Sequence, residues 1–195
     1  MHGLINRGIQ RFVTDSYGAT KWCAVMRNAG LDFTDFEAMW IYDDAVTPAV
    51  LASVCDVLDR PFEELMEDIG TFLVSHTSVE ALRRLLRFGG VTFIDFLYSL
   101  DDLPDRARLA VSDLVLPRLE LVERNTEEYS LRCYSGEAGW GHLFMGVLRA
   151  MADDYGALAL LDHKGSEGGC EIVEIRLLEM GFALDKGFEL GARSA

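Results

Sequence analysis

The sequence predicts an α+β fold in which a helical first half is followed by the order ββαββ. Apolar residues recur at helical spacing before Pro117 and alternate with polar ones after it, and one further helical stretch separates two strand pairs. No repeat, low-complexity run or linker divides the halves, which favours a single domain over residues 1–195. Within it we expect a helical sub-lobe at 1–62 and a sub-lobe of helices and a four-stranded antiparallel sheet at 63–195.

Proline and capping residues mark the starts of the helices in the first half. Thr47 is the expected N-cap of the third helix, with Pro48 at its first position, and Pro61 opens the fourth helix in the same way. Thr92 and Asp95 form an expected capping box, with Asp where Glu is usual.

Residues 93–108 read FIDFLYSLDDLPDRAR, and the apolar residues fall on one helical face. The pattern predicts a helix that runs to Leu103 and is stopped by Pro104, because proline lacks a backbone N–H and disfavours helix in the residue before it. A helix terminator is therefore the simplest interpretation of Pro104.

The second half contains two predicted hairpins around one helix. The segments PRLELVERN and EYSLRCYSG alternate apolar and polar residues and are joined through NTEE. GWGHLFMGVLRAMADDYG is the predicted helix, and ALALLDHKGSEGGCEIVEIRLLEM gives the second hairpin, with KGSEGG as its turn.

Composition excludes several classes of protein. The net charge of −14 disfavours a nucleic-acid or anionic-membrane surface. The four cysteines are widely spaced, so neither a zinc site nor a disulfide framework is expected. The first residues, MHGLINRGIQRF, lack the apolar region of a signal peptide, and no stretch is apolar enough to span a membrane. A cytoplasmic protein is the resulting expectation.

No pattern of catalytic or metal-binding residues is evident. The four histidines, His2, His76, His142 and His163, do not form a ligand-spaced pair. The sequence contains no G-x-S-x-G, P-loop or dinucleotide fingerprint, and its carboxylates follow solvated-face patterns. We therefore predict a protein that is not an enzyme and has no metal site built from such motifs.

Several strings, taken in order, resemble the H-NOX family, the heme nitric oxide/oxygen binding (HNOB) domains of bacteria and of soluble guanylate cyclase. MHGLINRGIQRFV is similar to the family's start, and IYDDAVTPAVLASVCDVL to its acidic-aromatic turn and following helix. FLYSLDDLPDRA is similar to the segment that carries the proximal ligand, and CYSGEAGWGHLFMGVL to the segment that holds the heme propionates. The resemblance covers nearly the whole chain and implies a heme pocket and a role in gas sensing.

The proximal ligand of that family is missing from the corresponding position. The family pattern L-D-x-L-H supplies a histidine that binds the heme iron, whereas this chain has Leu100-Asp101-Asp102-Leu103-Pro104. Pro104 has no lone pair to offer iron. This gives Pro104 a second interpretation, as the mark of a lost heme ligand.

The family's propionate-binding pattern, Y-x-S-x-R, is also altered. The matching residues are Cys133, Ser135 and Glu137, so that only the serine is kept. A carboxylate at the arginine position repels a propionate. Shifting the register by one recovers Tyr134 but loses Ser135 and still provides no arginine.

The residues that match the family's apolar pocket, in contrast, are still apolar. The positions that match its distal lining are all aliphatic: Ile5, Ile69, Leu73, Leu143 and Val147. These residues fit a pocket and an ordinary packed core equally well. No tyrosine stands at Leu143 to hydrogen-bond oxygen, so a heme bound here would favour NO over O₂.

Three other side chains are alternative iron ligands. His142 is next to the pocket position Leu143, although one residue corresponds to about 100° of helix rotation. His76 follows the helix of Ile69 and Leu73, and both histidines rank ahead of the Cys133 thiolate.

Three functional hypotheses follow. The first is a regulatory H-NOX domain without conventional heme ligation, which acts through a partner protein or holds another apolar ligand. The second is a heme-based gas sensor with a non-standard iron ligand, whose partner by resemblance is a histidine kinase or a cyclic-dinucleotide enzyme. The third, an enzyme for a hydrophobic or tetrapyrrole-like substrate, has no catalytic residues to support it. We favour the first.

Overall fold

The computed structural model describes residues 2–77 and 80–179. Its elements in chain order are α1 (Gly3–Tyr17), α2 (Ala19–Asn28), α3 (Val46–Leu58), α4 (Phe62–Ser75), α5 (Glu80–Arg87), α6 (Phe93–Tyr98), α7 (Leu103–Ala110), β1 (Arg118–Glu123), β2 (Glu128–Tyr134), α8 (Trp140–Tyr155), β3 (Leu158–Glu167) and β4 (Cys170–Glu179). The predicted α+β class and the ββαββ order of the second half are confirmed.

The four strands form one antiparallel sheet in the order β1-β2-β4-β3. Both predicted hairpins are present, and α8 packs against the sheet through residues such as Leu148 and Met151, which are fully buried. The second hairpin turns at Gly168 and Gly169, both with positive φ, and not over the whole predicted KGSEGG segment. Two adjacent glycines supply the backbone conformation of a tight two-residue turn, so β3 extends further than expected.

Helices α4 and α8 cross in direct backbone contact. A Cβ atom on Gly70 of α4 would lie 2.0 Å from the carbonyl oxygen of Leu143, and one on Gly146 of α8 would lie 2.0 Å from the carbonyl oxygen of Glu67. The two glycines therefore permit a separation that no other residue type would allow. This crossing joins the helical half to the sheet half.

Within the described part of the chain, two hydrophobic clusters make up the core. The first is formed by α1–α4 with the loop residue Phe36, and the second by the later helices and the sheet. Leu143 packs against both clusters. The first cluster reaches Phe72 in α4, beyond the predicted sub-lobe boundary at residue 62, and residues 180–195 of the second sub-lobe lie outside the described residues. The division into sub-lobes stays a prediction.

The helix at residue 93 is shorter than predicted. The capping box is confirmed, since the Thr92 hydroxyl accepts from the Asp95 backbone N–H and the Asp95 carboxylate accepts from the Thr92 backbone N–H. The helix ends at Tyr98, and Pro104 lies in the first turn of α7. The prediction that Pro104 terminates a helix is therefore wrong. In the first turn a backbone N–H has no partner within the helix, so proline is tolerated there.

The predicted N-cap at Thr47 is also wrong. Helix α3 begins at Val46 with Ala45 as its N-cap. The buried Thr47 hydroxyl instead donates to the Asn6 side-chain oxygen at 2.7 Å, which links α3 to α1. The need of buried Asn6 for a partner accounts for this use of the hydroxyl.

Among the described helices, none is long and apolar enough to cross a membrane.

Candidate functional site

The predicted pocket residues lie where the two hydrophobic clusters meet. Ile69 and Val147 are buried, at 3% and 4% exposure, in the first and second cluster respectively. Ile5, Leu73 and Leu143 are partly exposed and pack against the first cluster. The structure thus brings α1, α4 and α8 together through these aliphatic side chains. We call this set the interlobe apolar site.

The two described cavities lie elsewhere. One, of about 300 Å³, lies among α4, α5 and α8 and is lined by polar residues such as Thr71, Arg83 and Asp154. The other, of about 320 Å³, lies against the sheet. Neither is lined by a residue of the interlobe apolar site.

The position that matches the proximal ligand is apolar. Pro104 is buried in α7 together with Leu103 and Ala107. The Arg106 guanidinium donates to the Ser99 carbonyl oxygen at 3.0 Å and so closes the turn that precedes Pro104. No atom of the Pro104 side chain can coordinate a metal.

The positions that match the propionate motif lie at the end of β2. Cys133 is 1% exposed and faces the interior opposite Leu119. Burial raises the pKa of the Cys133 thiol, and the charges of Glu171 and Cys170 add to this shift. Because the thiolate is the form that binds metal, this thiol is a poor ligand.

Tyr134 takes the tyrosine position if the motif match is shifted by one residue. It projects from the opposite face of β2. Its hydroxyl donates to a Glu120 carboxylate oxygen at 2.7 Å, and the Arg118 guanidinium carbon lies 3.9 Å from its ring centroid. The Ser135 hydroxyl accepts from the Glu137 backbone N–H at 3.1 Å, and Glu137 is exposed. The Glu137 position therefore offers a negative charge where the family pattern has a positive one.

His142 makes specific contacts on the side of α8 that faces α4 and β3. Its Nδ1 lies 3.3 Å from a Glu67 carboxylate oxygen, and its ring stacks on His163 with centroids 4.0 Å apart. The other Glu67 oxygen accepts from Arg149 at 3.0 Å. These contacts link α4, α8 and β3, and none of them involves the interlobe apolar site.

His76 lies at the end of α4 and faces α1. Its ring stacks on Phe72 with centroids 4.5 Å apart, and its Nδ1 lies 3.7 Å from an Asp15 carboxylate oxygen. Like His142, it is held by neighbours other than the interlobe apolar site.

Sequence reasoning missed the buried carboxylate of Glu171. Glu171 is 8% exposed and accepts from the backbone N–H groups of Gly139 at 2.9 Å and Gly141 at 2.6 Å. It therefore caps α8 from β4, where negative charge is favoured by the helix dipole. The sequence does contain one indication of this contact. Gly139 has no side chain to cap α8, so a side chain from another element is needed to accept from the first N–H groups of the helix.

At the positions matched to the family motifs, the residues differ from those that the motifs use to hold an iron-ligated heme. The family's ligand position is a buried proline, the propionate partners are replaced, and the alternative ligands are held by other groups or are neutral. Among residues 2–77 and 80–179, no cluster of three histidine, cysteine or acidic side chains is arranged to hold a metal ion. What remains is an apolar site between a helical half and a sheet half.

These features define an α+β domain in which a helical half is joined to a half built around an antiparallel sheet. The Haem-NO-binding (HNOB) family model matches residues 2–159. The chain belongs to this family.

Relatives include the soluble guanylate cyclases gcy-31 of Caenorhabditis elegans and 89Db of Drosophila melanogaster. The first is 25% identical over 154 residues, which are 79% of this chain and 22% of the relative. The second is 22% identical over 155 residues, 80% of this chain and 23% of the relative. The chain thus matches about a fifth of the length of these cyclases.

Solved H-NOX structures share the fold. The Fe(II) unliganded H-NOX protein from K. algicida has a TM-score of 0.79 at 16% identity, with 92% of this chain and 97% of that chain covered. A variant of an H-NOX protein from S. oneidensis has a TM-score of 0.78 at 15% identity, with the same coverage.

Proposed function

We propose that this chain is a sensory or regulatory H-NOX-family domain that has lost conventional heme ligation. In this proposal it has no catalytic activity, and it acts through a partner protein or through a different apolar ligand at the interlobe apolar site. The observation that carries the proposal is the buried Pro104 at the position of the family's ligand histidine.

The electrostatics of the propionate positions support the loss of heme. Glu137 would repel a carboxylate that the family's arginine attracts, and the neutral, buried Cys133 provides no compensating charge. A heme at this site would therefore lose both its iron ligand and the main anchor of its acidic groups.

The contacts of the alternative ligands support the same conclusion. His142 is held between Glu67 and His163, and His76 is stacked on Phe72, and neither set of contacts includes a residue of the interlobe apolar site. A bond to iron at the interlobe apolar site would therefore require either ring to move from its present position. This disfavours the second hypothesis, a gas sensor with a non-standard ligand.

In this proposal, a conformational change passes between the helical half and the sheet half at the crossing of α4 and α8. Because the helical half meets the sheet half at the Gly70 and Gly146 contacts, a ligand or partner that shifts one half must move the other. By family resemblance, the partner would be a cytoplasmic signalling protein such as a histidine kinase or a cyclic-dinucleotide enzyme.

Hemin titration of the purified chain tests the loss of heme. We expect no sharp Soret band and no stoichiometric iron, whether heme is supplied during expression or added afterwards. A stoichiometric Soret band that shifts with NO would contradict the proposal and favour the gas sensor. In that case His142→Ala, His76→Ala and Cys133→Ser would identify the ligand by loss of the band.

A further inference from the structure

We propose that Met39, Trp40 and Ile41 form a docking surface for a basic amphipathic helix of a partner protein. We call these three residues the MWI patch. This inference rests on the proposed function, in which the domain signals through a partner, and it specifies where that partner binds and what chemistry it carries.

The MWI patch is a run of large apolar side chains directed to solvent. Met39, Trp40 and Ile41 are 67%, 65% and 72% exposed, in a loop whose neighbour Phe36 is 1% exposed. Single exposed apolar residues are ordinary, but a contiguous group is typical of interaction surfaces. Tryptophan and methionine are also enriched where proteins contact one another.

The backbone of the patch is held in place. The Trp40 carbonyl oxygen accepts from the Gly3 N–H at 2.7 Å, the Trp40 N–H donates to the Glu37 carbonyl oxygen at 3.2 Å, and Ile41 forms a β-bridge with His2. The three side chains are thus presented on a fixed backbone. A surface that is already ordered loses less conformational entropy when a partner binds.

Aromatic residues beneath the loop hold it in this shape. The ring of Phe36 meets those of Phe33 and Tyr42 edge-on, with centroids 5.2 Å and 5.0 Å away. The Tyr42 hydroxyl accepts from the Glu37 N–H at 2.8 Å. The loop therefore has its own apolar anchor, so burial of the MWI patch is not required for folding.

The charges around the MWI patch indicate the kind of partner that would bind it. The flanking exposed acidic residues are Asp32, Asp35, Glu37, Asp43 and Asp44. Between Arg27 and Arg60 the sequence contains no lysine or arginine. Arg7 of α1 contacts this loop by donating to the Phe36 carbonyl oxygen at 3.3 Å. An apolar centre with an acidic rim complements an apolar helix face bordered by lysine or arginine.

The same charges disfavour other occupants. A second copy of this chain, with its net charge of −14, would bring one acidic rim against another. An anionic membrane surface would be repelled for the same reason.

The MWI patch is next to the interlobe apolar site along α1. A Cβ on Gly3 would lie 2.1 Å from the Glu37 carbonyl oxygen, so the loop rests directly on the first turn of α1. Ile5, in the same turn, packs against the first hydrophobic cluster. A partner on the patch would therefore bind a loop that rests on α1, the element that carries Ile5.

A designed peptide tests the surface. The probe is a synthetic leucine/lysine amphipathic helix of about 18 residues, long enough to be helical when bound, and its control is a scrambled peptide of the same composition. We expect saturable binding of the amphipathic probe with a blue shift of the exposed Trp40 fluorescence, and at least tenfold weaker binding of the scrambled peptide. Binding should weaken as salt screens the acidic rim.

Two sets of variants locate the binding site. Trp40→Ser with Ile41→Ser should weaken probe binding at least tenfold without changing the melting temperature, because both side chains are exposed. Asp32→Asn with Glu37→Gln removes two charges of the acidic rim and should make probe binding less dependent on salt. Leu109→Ser is the matched control, since Leu109 is 90% exposed on α7, and it should bind like the parent chain.

Three outcomes would overturn the inference. These are equal binding by the patch variant and the parent chain, equal binding of the scrambled peptide, and self-association of the parent chain in sedimentation that the patch variant abolishes. Hemin titration of the patch variant tests the proposed function separately from the docking surface. A heme-binding chain would refute the proposed function, whereas unchanged peptide binding would refute only the docking surface.

Discussion

The imidazole rings of His142 and His163 stack with their centroids 4.0 Å apart and their planes 18° apart. The contact joins the first turn of α8 to β3, and Glu67 of α4 lies beside it, 3.3 Å from His142. Three elements from both halves of the domain therefore meet at one pair of titratable rings. The pair also accounts for the position of His142, which faces the sheet and α4.

The stack predicts that acid destabilises the fold through His163. Burial, and next the charge of His142, lower the pKa of His163 below 6.5, against smaller opposite effects of Glu171, Glu67 and Asp162. The unfolded chain therefore takes up the proton first as the pH falls, and the stability present above pH 6.5 declines below it. Urea unfolding between about pH 7.5 and 5 measures this decline.

His163→Phe is the matched variant for this prediction, because it keeps an aromatic ring against His142 and removes the titrating group. We expect its stability to fall less than that of the parent chain over the same pH range. An identical pH dependence in the two proteins would show that His163 does not titrate as described.

The crossing of α4 and α8 predicts a large effect at Gly70. Gly70→Ala would place a Cβ 2.0 Å from the Leu143 carbonyl oxygen, so the helices must separate. We expect the free energy of unfolding to drop by about 3 kcal/mol, the upper range for overpacked cores. Chemical denaturation followed by circular dichroism measures this change.

Gly8→Ala is the control for helix propensity. Gly8 is also helical, but its Cβ would meet only the Leu73 Cδ2 at 3.9 Å, an ordinary contact. The free energy of unfolding of the Gly8→Ala variant should rise by about 0.5–1 kcal/mol, as expected for glycine to alanine in a helix. Similar effects of the two substitutions would contradict the close crossing.

The capping box of α6 predicts a moderate loss of stability. Thr92→Ala removes the oxygen that accepts from the Asp95 N–H at 3.1 Å and should cost about 1 kcal/mol in a thermal or urea unfolding experiment. Thr92→Ser keeps an acceptor and should retain most of the stability. If the serine variant lost as much as the alanine variant, the hydroxyl would not be the stabilising group.

The same capping box makes a contribution that depends on pH. The Thr92 backbone and side chain lower the pKa of Asp95 below its usual 3.8, so its stabilising effect is present above that value and is lost as the pH falls through the lowered pKa. Asp95→Asn should remove this part of the acid sensitivity. Unfolding midpoints at about pH 5 and pH 3 in both proteins test it.

The sequence predicted the elements whose signals are local. Thr92 and Asp95 are three residues apart, and the two hairpins follow from alternation, so the capping box and the hairpins could be foreseen. The end of α6 at Tyr98 could not, because the proline pattern at Pro104 fits the start of a helix as well as its end.

The contacts around the candidate site depend on tertiary structure. His142 and His163 meet only because β3 folds back on α8, and Glu171 of β4 reaches Gly139 at the start of α8. No local spacing encodes such contacts. The altered motif positions, by contrast, are a prediction that local sequence is enough to make, since it needs only a comparison of the segments around Pro104 and Glu137 with a family pattern.

Restoring the two lost anchors tests the central claim most directly. Pro104→His with Glu137→Arg is titrated with hemin alongside the parent chain, and the Soret absorbance is measured. The control, Asp105→His with Glu137→Arg, places the histidine one residue further along α7, about 100° around the helix, at a side chain that is 77% exposed.

We expect a Soret band in the variant with Pro104→His and none in the parent chain or in the control with Asp105→His. A stoichiometric band in the parent chain, shifted by NO, would contradict the claim that conventional heme ligation has been lost.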